Sequence, residues 1–367
     1  MAERILVQGN EAVGWGAVSA GVEAFFGYPI TPQNEITEWF ARELPKRGGV
    51  FVQSASETGS INMLYGGAST GRRVITSTSS PGWALMQEGM SCLANAELPC
   101  VIVMVQRAGP GQGTTRHAQM DYFSVTRGGG QGGYKNIVLA AASVQENADL
   151  VQLGFHLADK YRNPVVMLTD AVIGQMAEPL ELRTVDFGPL SPKDWALGGK
   201  GSHADGKRRV LSCGQGQVPL EPYSTYLQFI RVLDQKYRTM QEQEVRYEKY
   251  HLEGARLVVV AYGYCARVSK EAVAQARKEG LKVGLLRPIT VWPFPYQALK
   301  DLALGGAGFL AVEDSLGQMV DDVKLGVEGK GEVHLLGMLA RHADTDAGMI
   351  LPQRVLQEIK KVYPGGH

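Results

Sequence analysis

RVITSTSSPGWALMQEGMSCLANAELPCVIVMVQ, residues 73–106, sets the fold class. Residues 73–77 and 100–106 are short runs rich in Val and Ile and read as strands. Between them Ser80-Pro81 opens a helix, a capping residue followed by proline at the first helical position. Strand, helix and strand in this order form the repeating unit of a parallel α/β domain.

The pattern extends outward on both sides. Further strands are expected at residues 4–8, 50–53, 136–140 and 165–169. Thr31-Pro32 repeats the cap-and-proline device, and Ser143 with Glu146 forms a capping box for a helix running to about Tyr161. From about Leu180 to Gly254 the alternation degrades: glycine, serine, proline and charge gather between Gly188 and Pro222, and a polar, helical run follows over residues 226–252. A second, smaller α/β pattern then begins. Its strands fall at residues 257–261, 282–286, 308–312 and 332–336, with helices near 267–279, 296–302 and 351–361. The expected division is residues 1–185, a connection over 186–254, and residues 255–367.

Bulk properties exclude several classes. A chain of 367 residues has room for two to three domains. Its 37 basic and 37 acidic residues balance, which argues against a broad nucleic-acid footprint. No apolar run approaches the ~18 residues that span a bilayer, and the N-terminus lacks the pattern of a signal peptide. A cytoplasmic protein that binds neither nucleic acid nor membrane is expected. Cys92, Cys100, Cys213 and Cys265 form no CxxC pair, so no iron–sulfur cluster is expected on this chain.

In open α/β sheets ligands bind beyond the carboxyl ends of the strands, and four loops there stand out. GYPITPQNE (27–35) carries Thr31 as the cap of a helix whose free amides suit a carboxylate or phosphate; an ordinary capped helix is the alternative. SASETGSINM (54–63) places Glu57 at the start of a small-residue helix, either as a functional carboxylate or as a dipole-satisfying one. STSSPGWALMQEGM (77–90) sets four hydroxyl residues before Pro81-Gly82, as ligand contacts or as turn chemistry. VQRAGPGQGTTRHAQMDYF (105–123) ends an apolar strand on Arg107, which grips either a ligand's carboxylate or an internal salt-bridge partner. His117 in the same loop is a candidate acid or base, or a surface residue.

Together these loops resemble the alpha subunit of the 2-oxoacid:ferredoxin oxidoreductases, over nearly the whole chain. GYPITPQNE resembles that family's substrate-side loop, SETGSINM its cofactor-activating Glu segment, and residues 76–103 its central helix and strand. QRAGPGQG, DYFSVTRGGGQGGYKNIVLA and LADKYRNPVVMLTDAVIGQMAEP look most like the branched-chain, 2-oxoisovalerate group. LRPITVWPFP and VEDSLGQM resemble a transketolase-type C-terminal domain. The resemblance implies a pyrimidine-type thiamine-diphosphate-binding domain followed by a smaller transketolase C-terminal-like α/β domain. The activity it implies is oxidative decarboxylation of a 2-oxoacid with coenzyme A as co-substrate, giving acyl-CoA, CO2 and reduced ferredoxin.

The same resemblance assigns roles. Glu57 would hydrogen-bond the ring nitrogen of the cofactor's aminopyrimidine; Thr31 and Arg107 would hold the substrate's carboxylate and carbonyl. Pro29, Ile30 and Ser80 would line the cofactor. Where the branched-chain group commonly has small or acidic residues this chain has Arg116 and His117, which would select the substrate side chain and could receive the second carboxylate of 2-oxoglutarate. The family's GDG metal-binding segment is missing from this sequence, so no metal site is expected here. A beta-type partner would hold the diphosphate and Mg, and further gamma- and ferredoxin-like delta-type partners the iron–sulfur clusters. Two readings from other classes remain: a nucleotide-binding dehydrogenase, from the partial motif around Gly14-Trp15-Gly16, and a non-catalytic scaffold subunit.

Overall fold

The structure is a computed structural model that describes residues 4–198, 203–207, 209–214, 223–341 and 348–364. Part of the glycine- and proline-rich stretch before Tyr223 lies outside these residues.

The first region runs β1 (Arg4–Gln8), α1 (Gly9–Ser19), β2 (Ala24–Gly27), α2 (Asn34–Glu43), β3 (Val50–Gln53), α3 (Glu57–Ser69), β4 (Val74–Ser79), α4 (Ser80–Asn95), β5 (Cys100–Gln106), α5 (Tyr122–Thr126), β6 (Ile137–Ala140), α6 (Val144–Tyr161), β7 (Pro164–Asp170), α7 (Ala171–Gln175) and β8 (Ala177–Glu181). The second runs α8 (Tyr226–Gln243), β9 (Tyr247–Tyr250), β10 (Leu257–Ala261), α9 (Gly263–Lys278), β11 (Val283–Pro288), β12 (Thr290–Trp292), α10 (Tyr296–Leu304), β13 (Gly308–Val312), α11 (Met319–Val327), β14 (Val333–Leu336) and α12 (Pro352–Val362).

The main sheet has seven strands in the order β12-β6-β7-β5-β4-β2-β3, parallel except for β12. Its central strands β4, β5 and β7 are buried along their whole length, which is why β5 and β7 read as unbroken apolar runs rather than alternating ones. β4 breaks that rule. Its last four residues, Thr76, Ser77, Thr78 and Ser79, are polar and wholly buried, so the apolar logic of the strand gives way at its carboxyl end.

Several expectations need correction. β1 is a strand, but it pairs antiparallel with β8 in a separate two-stranded sheet. The short β2 carries no clear strand signal and sits inside the main sheet, where β3 and β4 pair with it on either side. The run 226–252 is not one helix: α8 ends at Gln243, because residues 247–250 add to the edge of the second sheet beside β11. Tertiary pairing outweighs local propensity there.

That second sheet has the order β14-β13-β10-β11-β9. The two regions are not separate bodies. β12 pairs with β6, so the second region hands a strand to the first sheet. One apolar core joins first-region residues such as Val103 and Leu139 to Val258, Leu286 and Phe309.

Candidate active site

The site lies beyond the carboxyl ends of β2, β3, β4 and β5, four neighbouring parallel strands. Each delivers one of the loops singled out in the sequence.

From β2 comes the loop with Pro29, Ile30 and Thr31. Thr31 is not a helix cap: α2 starts only at Asn34, after Gln33. A turn comes first, with the Gln33 amide donating to the Ile30 carbonyl at 3.0 Å. Asn10 Nδ2 holds that turn by donating to the Pro32 carbonyl at 2.8 Å. Gln33 anchors it from within. Its Nε2 donates to the Tyr28 carbonyl at 3.0 Å, while its Oε1 accepts from Ser77 at 2.6 Å. Pro29 is thereby left exposed and Ile30 and Thr31 half-buried at the rim.

From β3 comes Glu57, the first residue of α3, with Ser56 Oγ capping the helix by accepting from the Gly59 amide. Glu57 is 4% exposed. Among the described residues no hydrogen bond reaches its carboxylate, which leaves it able to accept one from a ligand. Gly82 presses on it from α4. A Cβ on Gly82 would stand 2.5 Å from Glu57 Oε1 and 2.3 Å from Thr78 Oγ1. Only glycine leaves the space in which that carboxylate sits.

From β4 comes Ser80. The helix cap is Ser79, one residue earlier than expected, which frees Ser80 for another task. Ser80 Oγ accepts the Arg107 amide at 3.1 Å and donates to Asp121 Oδ2.

From β5 comes Arg107, 6% exposed. Its guanidinium donates only to carbonyl oxygens: Nη1 to Thr31 O at 2.9 Å, and Nη2 to Gln112 O at 2.8 Å and to the Gln112 side chain at 3.4 Å. Its Nε is buried with no partner. The expected alternative of an internal salt bridge is not what the described residues provide, for no carboxylate among them lies within ion-pair range of Arg107. Burial holds the guanidinium below its ordinary pKa, and the charges of Asp121 and Glu57 pull it back up.

Thr31, Glu57, Ser80 and Arg107 are thus brought together. Arg116 and His117 make no contact with these four side chains among the described residues, although the Arg116 carbonyl accepts from the Ala108 amide at 3.0 Å. Arg116 is exposed, and His117 Nε2 is 2.9 Å from the Gly348 carbonyl of the second region, with the ring edge-on to Tyr264. Asp121 is the residue that sequence reasoning passed over. Nothing in its spacing, 14 residues after Arg107 and 41 after Ser80, signals that the three meet; the loop closes through its own bonds, Ala108 to Arg116 and Asp121 to Gln106, and through Gln119 and Met120, which are bonded to the second region at Asp314 and Gln318.

The glycines of the dinucleotide-type reading are helix-packing glycines. Both lie inside α1; a Cβ on Gly14 would stand 2.1 Å from the Trp39 ring, and one on Gly16 would stand 2.2 Å from the Ala148 carbonyl.

Comparison with known proteins decides the family. The family model described as pyruvate flavodoxin/ferredoxin oxidoreductase, thiamine diphosphate-binding, matches residues 15–251, and that of pyruvate:ferredoxin oxidoreductase core domain II matches residues 255–349. The chain belongs to the 2-oxoacid:ferredoxin oxidoreductase family. Within that family it is 47% identical over 359 residues to the ketoisovalerate oxidoreductase subunit VorB of Methanothermobacter marburgensis, covering 97% of each chain. It is 36% identical over 337 residues to the 2-oxoglutarate synthase subunit KorA of Methanocaldococcus jannaschii, covering 87% of this chain and 90% of that one. A family structure, the 2-oxoglutarate:ferredoxin oxidoreductase from Magnetococcus marinus with 2-oxoglutarate, coenzyme A and succinyl-CoA bound, superposes with a TM-score of 0.83 at 27% identity. This chain covers 65% of the length of that longer one. The chain is therefore an alpha-type subunit of an oxidoreductase of this family, and its first region is a thiamine-diphosphate-binding domain.

Proposed function

We propose that this subunit serves a coenzyme A-acylating oxidoreductase whose preferred substrate is a branched 2-oxoacid of the 2-oxoisovalerate type. The observation that carries the reading is the pair of buried, unpaired charges at the sheet's carboxyl edge. Among the described residues Glu57 offers an acceptor that takes no hydrogen bond, and Arg107 a cation that makes no ion pair. The 47% identity to the ketoisovalerate subunit against 36% to the 2-oxoglutarate subunit supports the branched side chain.

The chain's own residues fit the pyrimidine end of the cofactor. Glu57 would accept a hydrogen bond from the aminopyrimidine ring, in the space that Gly82 leaves open. Pro29, Ile30 and Ser80 would complete that wall. Thiamine diphosphate, when bound, supplies the electron sink for decarboxylation. Arg107 would grip the substrate carboxylate through the planar fork that its strand presents, and Thr31 would hydrogen-bond the carbonyl. The diphosphate and Mg would sit on a beta-type partner. Iron–sulfur clusters on gamma- and delta-type partners would pass electrons to ferredoxin. No described helix is long and apolar enough to cross a membrane, in keeping with a cytoplasmic complex.

A second reading, 2-oxoglutarate as substrate, draws on the 2-oxoglutarate bound to the superposed Magnetococcus marinus enzyme and on Arg116. His117 supports it less, since its ring faces Gly348 and Tyr264. The test is a panel of 2-oxoacids with coenzyme A and a viologen dye, using the assembled complex. A ratio favouring 2-oxoisovalerate over 2-oxoglutarate is expected, unchanged by Arg116→Ala and His117→Ala. A preference for 2-oxoglutarate that these substitutions erase would assign the pair to selection instead.

A further inference from the structure

The loop after β5 brings a second acid to Arg107, and no role yet stated accounts for it. Asp121 stands just before α5, yet its side chain caps no amide of that helix. The carboxylate instead accepts from Ser80 Oγ, and the same Ser80 oxygen accepts the Arg107 amide at 3.1 Å. A relay of backbone amide, hydroxyl and carboxylate therefore ties Asp121 to the residue that carries the site's positive charge. Its own amide donates to Gln106 Oε1 at 3.3 Å, which fixes the carboxyl against the strand end. The charge of Arg107 acts on Asp121, and Arg107 in turn feels Asp121 and Glu57. Burial pushes the Asp121 carboxyl up to about 6, against the pull of Ser80 and Arg107.

Counting charge exposes the difficulty. With Glu57 and Asp121 ionised and Arg107 cationic, the cluster carries one net negative charge before any substrate arrives. A 2-oxoacid carboxylate seated on Arg107 would add a second in a partly buried space, where like charges repel. Glu57 is needed at the aminopyrimidine. The relief falls to the other acid.

We propose that Asp121 is the charge-balancing residue of the substrate site, taking up one proton from solvent as the 2-oxoacid carboxylate binds to Arg107. The inference rests on the reading of Arg107 as the carboxylate's anchor. Asp121 touches neither substrate nor cofactor; it sets how many charges the anchor must share. Bound anion raises the affinity of Asp121 for its proton, and by reciprocity a protonated Asp121 tightens anion binding. Substrate affinity therefore weakens as pH rises from about 6 to 8.

The experiment is calorimetric titration of the assembled complex with N,N-dimethyloxamate, an unreactive isostere of 2-oxoisovalerate, at pH 7 in buffers of different ionisation enthalpy. The wild type is expected to take up a fraction of a proton per site. Asp121→Asn keeps an acceptor for Ser80 and removes the charge. It should abolish the uptake, tighten binding about tenfold at pH 8, the order of one unit charge at close range in a partly dry site, and flatten the pH dependence. Ser80→Ala, which removes a bond favouring the ionised acid, should move the midpoint of the affinity profile to higher pH. No proton uptake in the wild type, or uptake retained in Asp121→Asn, overturns the proposal. Arg107→Ala separates the two claims. If it binds the isostere as the wild type does, the anchor reading has failed; if it loses binding while Asp121→Asn behaves as wild type, only the charge-balancing role has.

Discussion

Arg107 and Arg287 are equally withdrawn from water, each 6% exposed, and yet they are opposites. Arg287, near the end of β11, commits each of its three nitrogens to a carboxylate. Its Nε reaches Glu248 at 2.8 Å, and its two terminal nitrogens clasp Glu146 at 2.8 and 2.7 Å. Glu146 belongs to the helix α6 of the first region, so the fork fastens the two regions together. Among the described residues Arg107 meets only carbonyl oxygens and leaves Nε without a partner. A buried arginine with its carboxylates in place is a structural fastening. One lacking them carries a charge that no carboxylate clasps, and an anion that arrives later can take that place by displacing the carbonyl contacts.

The sharpest way to break this contrast is at the acid opposite Arg107. Glu57→Gln keeps the shape of the side chain but not its charge. Turnover of the assembled enzyme is expected to fall ~100- to 10,000-fold, with the thermal midpoint of the subunit within a degree or two of wild type. Near-normal turnover would remove Glu57 from the chemistry and leave it a misplaced structural acid.

The two arginines can be compared directly by unfolding. Arg287→Met leaves Glu146 with the Ala142 amide and Glu248 with Lys270, two acids whose side chains are 29% and 31% exposed. The loss should be about 2 kcal/mol, between the values for exposed and buried pairs, while turnover of the folded fraction is unchanged. Arg107→Met removes a guanidinium that makes no ion pair among the described residues and should leave stability within about 1 kcal/mol, yet abolish turnover. If both variants lose the same stability, the distinction between fastening and anchor fails.

The smallest effect concerns pH. Asp121 has a folded-state pKa raised to about 6 from the ordinary 3.8. The folded chain thus holds this proton more tightly than the unfolded one. Its contribution favours folding below about pH 4 and is lost as pH rises through about 6. Water reaches part of the side chain, so Asp121→Asn should stabilise the subunit by only about 1 kcal/mol at pH 7.5 and by nothing at pH 4. Chemical denaturation at the two pH values reads this directly.

What neighbouring residues impose on one another was legible in the sequence. Apolar runs such as 100–106 form strands wherever both faces are covered, and Ser143 caps α6 through the Glu146 amide at 3.1 Å because the two are three residues apart. The motif loops, and Glu57 and Arg107 within them, stood out for the same reason: each interrupts a local pattern with a charge or a hydroxyl that the pattern does not need. Which of those charges would stay unpaired depended on the folded chain. Glu146 reads in sequence as half of a capping box, but its carboxylate accepts from the Ala142 amide and from Arg287, 141 residues away. Thr31 reads as a cap, but a turn held by Asn10 delays the helix to Asn34. Asp121 meets Arg107 only in the folded loop, which its own bonds and those to the second region hold back against the strand end. Local sequence sets which groups carry charge; the long-range packing that surrounds them sets whether a partner is already present or must come from outside.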